Sequence, residues 1–313
     1  MNTHRIFTLV LVLGALMLGA CQSIPRQPSS APVAQDWRDR MLGEFNNHEQ
    51  VFQAKPALLP SVSVTSSTLV SAGWLLWRTR LRAATTLEAT WLLREGSTAD
   101  GALVLTPHRP LVPGAAVDKA FDPDQWVALD ACALREVPGL SPLRFSAHPT
   151  RCATVAPGLG VEAALLPLSI EPGGDLLRVR LFSDQARGAV VFNDLRKVQT
   201  YTGWAAINGA GANATVQSSD WHMNGAIRVG NEGGRSTLLW RDGKPSGYSL
   251  LLERLTYREG NTPVLKLSVL EDASEQAIVY AWANSDATRI GINLGWVQVG
   301  LERSTAVAGN GSR

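Results

Sequence analysis

Groups that carry out chemistry are scarce in this chain, and the few present are poorly spaced for it. The 313 residues hold three cysteines and five histidines. Beyond His4 the histidines are His48, His108, His148 and His222, and no two fall at the i, i+4 spacing of a helix-borne metal pair, so no metal site is expected. The run His48-Glu49-Gln50-Val51-Phe52 begins like a zincin helix, but Phe52 stands where the second ligand belongs. Neither a G-x-S-x-G elbow nor a Walker loop occurs. Gly209-Ala210-Gly211-Ala212-Asn213-Ala214 imitates a dinucleotide loop, yet Thr215 to Ser219 make no amphipathic helix to aim at a pyrophosphate, and the stretch reads as a turn. An excess of charge of one sign is missing too: 29 Lys and Arg stand against 27 Asp and Glu. Nucleic acid is therefore not expected as a partner.

Long hydrophobic runs are also absent apart from Ile6 to Leu18, which falls short of the ~20 residues of a membrane-spanning helix. That run follows a basic Arg5 and ends in Leu18-Gly19-Ala20-Cys21, which resembles a lipobox. Residues 1–20 are then expected to be a signal peptide and Cys21 a lipidated N-terminus whose lipid partners a membrane; an ordinary signal with a chance cysteine is the alternative. Gln22 is not the Asp that retains many such proteins at the inner membrane, so the expected location is the bacterial outer membrane, facing the periplasm. Ser, Pro and Gln without periodicity make 21–35 a flexible tether. In an oxidising envelope, Cys132 and Cys152 read as one disulfide, with two buried thiols as the alternative.

The folded part begins with a helical pattern from Asp36: Trp37, Met41, Phe45 and Phe52, with Leu42 and His48 beside them, fall near a 3.6 period. Asp36 sits where an N-cap belongs and Pro56 beyond the end, so one N-terminal helix is expected. After Pro60, short alternating runs follow one another: Val62 to Thr65, Gly73 to Leu81, Leu87 to Arg94, Leu103 to Thr106, Gln125 to Leu134, Arg151 to Val155, Glu162 to Ile170 and Leu176 to Phe182. Glu95-Gly96 and Asp100-Gly101 read as breaks, Pro172-Gly173-Gly174 as a hairpin turn, and Phe121 to Trp126 as a place for one helical turn. Helices for parallel crossovers are missing, so the fold is mainly β, an antiparallel barrel or sandwich over 36–198. A second β-rich domain is expected over 199–304, with Asp242-Gly243 as a tight turn and a frayed, disordered tail at 305–313. Within it Ile290 to Leu301 changes register, which predicts a bulge at Gly295 or a strand buried on both faces.

Ten tryptophans are present, and Trp74, Trp77 and Trp91 cluster in sequence with Arg78, Arg80, Arg82 and Arg94. On one reading rings and guanidiniums line a cavity for a flat anionic ligand. On the other the indoles fill the barrel and the arginines alternate outward, since neighbours such as Trp77 and Arg78 point to opposite faces of a strand.

The segment Gly43-Glu44-Phe45-Asn46-Asn47-His48-Glu49-Gln50 resembles the G-x-F-x-N-x-x-Q motif that opens the CpcT/CpeT family of chromophore lyases, matched here at Gly43, Phe45, Asn47 and Gln50. Phe121 to Trp126 leading into Ala131-Cys132-Ala133-Leu134, and then Cys152, are similar to a later part of that family, over roughly residues 36–192. The resemblance implies a calycin-like barrel and attachment of bilins to protein thiols, without a resident cofactor but with a bilin or other tetrapyrrole as ligand. The family's Glu-Gln pair and Tyr-Arg-Gln-Arg run are replaced by Leu76-Trp77-Arg78-Thr79-Arg80 and Leu87-Glu88-Ala89-Thr90-Trp91, so no catalytic residue carries over. Binding of a hydrophobic or tetrapyrrole-like molecule is the expectation, through Trp74, Trp77, Arg78, Arg80, Glu88 and Trp91. An active lyase and a structural envelope protein that docks a protein partner are the alternatives.

Overall fold

The computed structural model describes residues 37–54, 59–69, 73–112, 117, 121–187, 192–257 and 261–305. The expected signal peptide, Cys21, the tether and the tail beyond Thr305 lie outside these residues. The described residues fall within one compact unit.

The first block is built from α1 (Trp37–Met41), β1 (Gly43–Asn46), α2 (His48–Gln53), β2 (Ser61–Thr68), β3 (Trp74–Arg82), β4 (Thr86–Ser97), β5 (Leu103–Pro110), β6 (Trp126–Ala128), β7 (Leu134–Glu136), β8 (Phe145–Ser146), α3 (Pro149–Ala153), β9 (Pro167–Pro172), β10 (Leu176–Leu181) and β11 (Asn193–Lys197). Ten of these strands close into an antiparallel barrel in the order β4-β3-β2-β1-β11-β10-β9-β8-β7-β5 and back to β4; β6 joins along β5 beyond β7. Strand alternation fills the barrel. Val62, Val64, Leu75, Trp77, Ala89, Trp91, Leu93, Leu105, Phe145, Ile170, Val179 and Leu195 turn inward into one cluster, which Met41 and Phe45 join. The Cys132–Cys152 disulfide is buried in the same cluster, so the pair is cross-linked and not two free thiols.

The single N-terminal helix expected from Asp36 onward is not formed. Gly43 takes φ 125°, a conformation that ends α1, and the next residues pair as β1 with both β2 and β11. The 3.6 spacing of Met41 and Phe45 is real, but it is met by a helix end and a strand facing the same core. Two further runs are not the strands they resemble. Pro149 presets the first turn of α3, so Arg151 to Val155 is largely helical, and Ala156–Leu165 coils as 3-10 turns kinked at Gly160, leaving β9 to start only at Pro167. Gln125 to Leu134 is interrupted by a 3-10 turn at Asp130–Cys132, which places Cys132 for the disulfide. Glu95-Gly96 does not break β4, which continues to Ser97. The turns at Asp100-Gly101 and Gly173-Gly174 and the helical turn at Pro123–Gln125 are present.

The second block contains β12 (Thr200–Asn208), β13 (Trp221–Gly230), β14 (Glu232–Leu239), β15 (Pro245–Leu255), β16 (Val264–Glu271), β17 (Gln276–Asn284), β18 (Arg289–Asn293) and β19 (Val297–Arg303). They form two four-stranded sheets, β13-β12-β19-β18 and β14-β15-β16-β17. The expected bulge at Gly295 is instead a turn: β18 and β19 are an antiparallel hairpin, and the change of register marks the reversal. Tyr201, Ile227, Leu250, Leu252, Leu265, Leu267, Val297 and Val299 make a core of their own. The two blocks therefore have separate apolar cores, joined by a polar network and by the ring contact of Phe52 with Tyr257.

Candidate functional site

The junction is organised by α2 and the strand before it. Asn47 is fully buried; its Oδ1 accepts from the Val62 N–H at 2.7 Å and its Nδ2 donates to the Pro60 carbonyl at 3.0 Å. Gln50 donates to the Phe192 carbonyl at 2.9 Å and accepts from the Asp194 N–H at 3.1 Å. These two motif residues thus pin α2 to β2 and to the start of β11, while Gly43 turns the chain and Phe45 fills the barrel.

From that anchored helix, side chains reach the second block. Glu49 accepts from the Thr256 N–H at 3.1 and 3.2 Å, His48 Nε2 lies 3.0 Å from Glu253, and Asn46 donates to the Glu232 carbonyl at 2.8 Å. At the centre the carboxylate of Glu232 is wholly shielded from water. Arg196 of β11 donates to it from Nε at 3.0 Å and Nη2 at 2.9 Å, and Arg254 stands 3.2 Å from its other oxygen. Arg196 also donates to the Arg254 carbonyl and approaches Glu49 at 3.4 Å. Burial pushes the Glu232 carboxyl above the usual carboxylate range, against the opposing pull of Arg196 and Arg254. At Gly233, φ is +78° and an added Cβ would lie 2.5 Å from His48 Nδ1, so the close approach of β14 to α2 requires glycine.

A cleft of about 400 Å³ opens beside this network, lined by Glu44, Asn46, His48, Ser61, Ser63, Arg80, Arg82, Arg228 and the Gly230–Gly234 bend. A smaller hollow of about 260 Å³ holds Arg78, Arg80, Glu88, Ser63 and Glu44. Arg78, Arg80 and Arg82 occupy alternate, outward positions of β3, and Arg228 faces in from β13. Arg80 is paired with Glu88 at 2.6 Å, an exposed contact of small energetic weight. Arg78, Arg82 and Arg228 have no ion pair among the described residues. The result is a basic wall above a hydrogen-bonded floor, suited to holding anionic groups by charge-assisted hydrogen bonds.

The structure divides the six residues expected to form the ligand site. Arg78, Arg80 and Glu88 come together outside the barrel. Trp77 and Trp91 are register partners but point inward and are fully buried, with Trp77 Nε1 donating to Thr79 Oγ1 at 3.0 Å. Trp74 is on the outer face, at the other end of β3, with its ring 4.7 Å from His108, 5.6 Å from Phe121 and under the Arg94 guanidinium. A shared cavity of rings and guanidiniums is not formed, because alternation sends residues 77 and 78 to opposite sides. Arg228, Arg196, Glu232 and Arg254 escaped sequence reasoning, since their roles come from contacts between distant strands; only the i, i+2, i+4 arginines of β3 left a local trace. Among the described residues no group of three or more His, Cys, Asp or Glu is placed to hold a metal ion. Comparison with known proteins gives no match for this chain, whether to family models, to curated proteins or to solved structures.

Proposed function

We propose that this chain is a lipid-anchored protein of the bacterial envelope that binds an anionic ligand in the arginine cleft between its two blocks. The observation that carries the reading is that Arg80, Arg82 and Arg228 line this cleft, Arg82 and Arg228 without an ion-pair partner among the described residues, while Arg78 lines the adjoining hollow that Arg80 shares. Alternate residues of a strand lie about 7 Å apart, so the arginines of β3 suit a ligand carrying two or more carboxylates or phosphates at that spacing. A bilin, with its propionates, is the candidate that the CpcT/CpeT resemblance implies, and here it would sit outside the barrel, whose interior is occupied by side chains. Anchoring follows from the lipobox-like segment ending at Cys21.

Calorimetric titration of the full-length protein with inorganic tripolyphosphate tests the anion site. Saturable binding weakened at least tenfold in Arg82→Ala/Arg228→Ala, with thermal stability unchanged, is expected. Absence of binding, or equal binding by that variant, would end the proposal.

A further inference from the structure

A second surface, on the far side of the β14–β17 sheet from its core, carries features of a binding site of another kind. Phe52, Tyr257, Trp282 and Tyr280 form a continuous row, with ring centroids 5.5, 4.6 and 5.6 Å apart in that order. All four are between 42 and 54% exposed, an unusual amount of aromatic surface to leave in water in one place. The Lys266 ammonium lies 5.9 Å from the Tyr257 ring, 5.4 Å from Tyr280 and 5.8 Å from Trp282. Ser268 is the register partner of Tyr280 on this same face; it is 1% exposed and its Oγ has no hydrogen-bond partner among the described residues. The row also continues the junction between the blocks, because α2 lies against β14 and β15 and supplies Phe52 as the first ring.

We infer that this face binds an acidic glycan, a chain of sugar rings bearing carboxylates. Lys266 already sits among three ring faces, so a cationic ligand is repelled and a neutral or anionic one is selected. Among the outward positions Leu251 and Ile278 add aliphatic surface beside the four rings. Sugar rings suit what is there: their electropositive C–H edges stack on the negative faces of Trp282, Tyr280 and Tyr257. A carboxylate of such a chain meets the Lys266 ammonium, whose side chain stays partly exposed beside the rings. Glu253, 3.9 Å from Lys266, holds that ammonium at the face.

The test is calorimetric titration of the full-length protein in mild detergent with tetragalacturonate as the acidic probe and chitotetraose as the neutral one. Tetragalacturonate is expected to bind more tightly, with affinity falling at least tenfold in Trp282→Ala and in Lys266→Gln and retained within about twofold in Trp282→Phe. Because the probe is itself an anion, Arg82→Ala/Arg228→Ala is run in parallel and is expected to retain binding, which separates this site from the arginine cleft. Failure of either sugar to bind, tighter binding of chitotetraose, or a loss confined to the arginine variant would overturn the inference. So would a dimer in sedimentation equilibrium that Trp282→Ala dissolves, since the face would then belong to a second copy of the chain.

Discussion

Glu232 shows how much a single side chain can concentrate at this junction. Its carboxylate is held by two guanidiniums from different blocks, and removing one partner of such a buried set leaves an uncompensated charge. Arg196→Ala is therefore expected to destabilise the protein by about 3–5 kcal/mol at pH 7 in urea denaturation. The sign of its pH dependence follows from burial. A carboxyl whose value is raised in the folded state favours folding below its unfolded value of about 4.3, and that contribution is lost as pH rises through the folded value. Without Arg196 the value rises further, so the stability gap between variant and wild type should narrow as pH is lowered from 7 to 5. A gap that widens instead would show that Glu232 is not the group left exposed to the loss. Asn47 is a second case. Replacing it by Ala strips partners from the Val62 N–H and the Pro60 carbonyl, and the expected cost is about 1–3 kcal/mol, read from the same denaturation curves.

Among elements, the stretch from α1 through β1 to α2 is where local pattern and tertiary demand part company. Apolar spacing over Trp37, Met41 and Phe45 reads as a helix, yet the barrel needs a strand between β2 and β11, and Gly43 makes the switch. Gly43→Ala is expected to cost about 1–3 kcal/mol through the φ of 125° alone, with the Lys197 side chain 3.1 Å from the new methyl group adding to it. A thermal scan in which this variant matches wild type would contradict that account of the turn. The β character of the chain, an antiparallel barrel followed by further β sheets, and most hairpin turns were legible because period-2 alternation and Gly-containing turns are local signals. The helical turns around Cys152 were not, because Arg151 to Val155 is too short for periodicity to separate strand from helix and Pro149 was the only cue. At the site, alternation already set Trp77 against Arg78, but nothing local announces that Arg228 and Arg82 will face one cleft or that Arg196 and Arg254 will meet at Glu232.

At the scale of the whole molecule, two apolar cores are coupled through a polar seam. If the seam is what makes the unfolding cooperative, calorimetry should give one transition for the wild type and two for Arg196→Ala/Glu232→Ala. A single transition persisting in that variant would mean that the blocks are joined by contacts other than this network. The arginine cleft is lined from both blocks beside this seam, so ligand binding is expected to stabilise both blocks together.

The measurement that tests the central claim most directly is titration of the full-length protein with biliverdin, a bilin carrying two carboxylates, followed by tryptophan fluorescence in wild type, Arg82→Ala/Arg228→Ala and Trp77→Phe. The account predicts saturable binding that is weakened at least tenfold in the arginine variant and kept in Trp77→Phe. Binding that survives in the arginine variant but is lost in Trp77→Phe would place the ligand inside the barrel and contradict it.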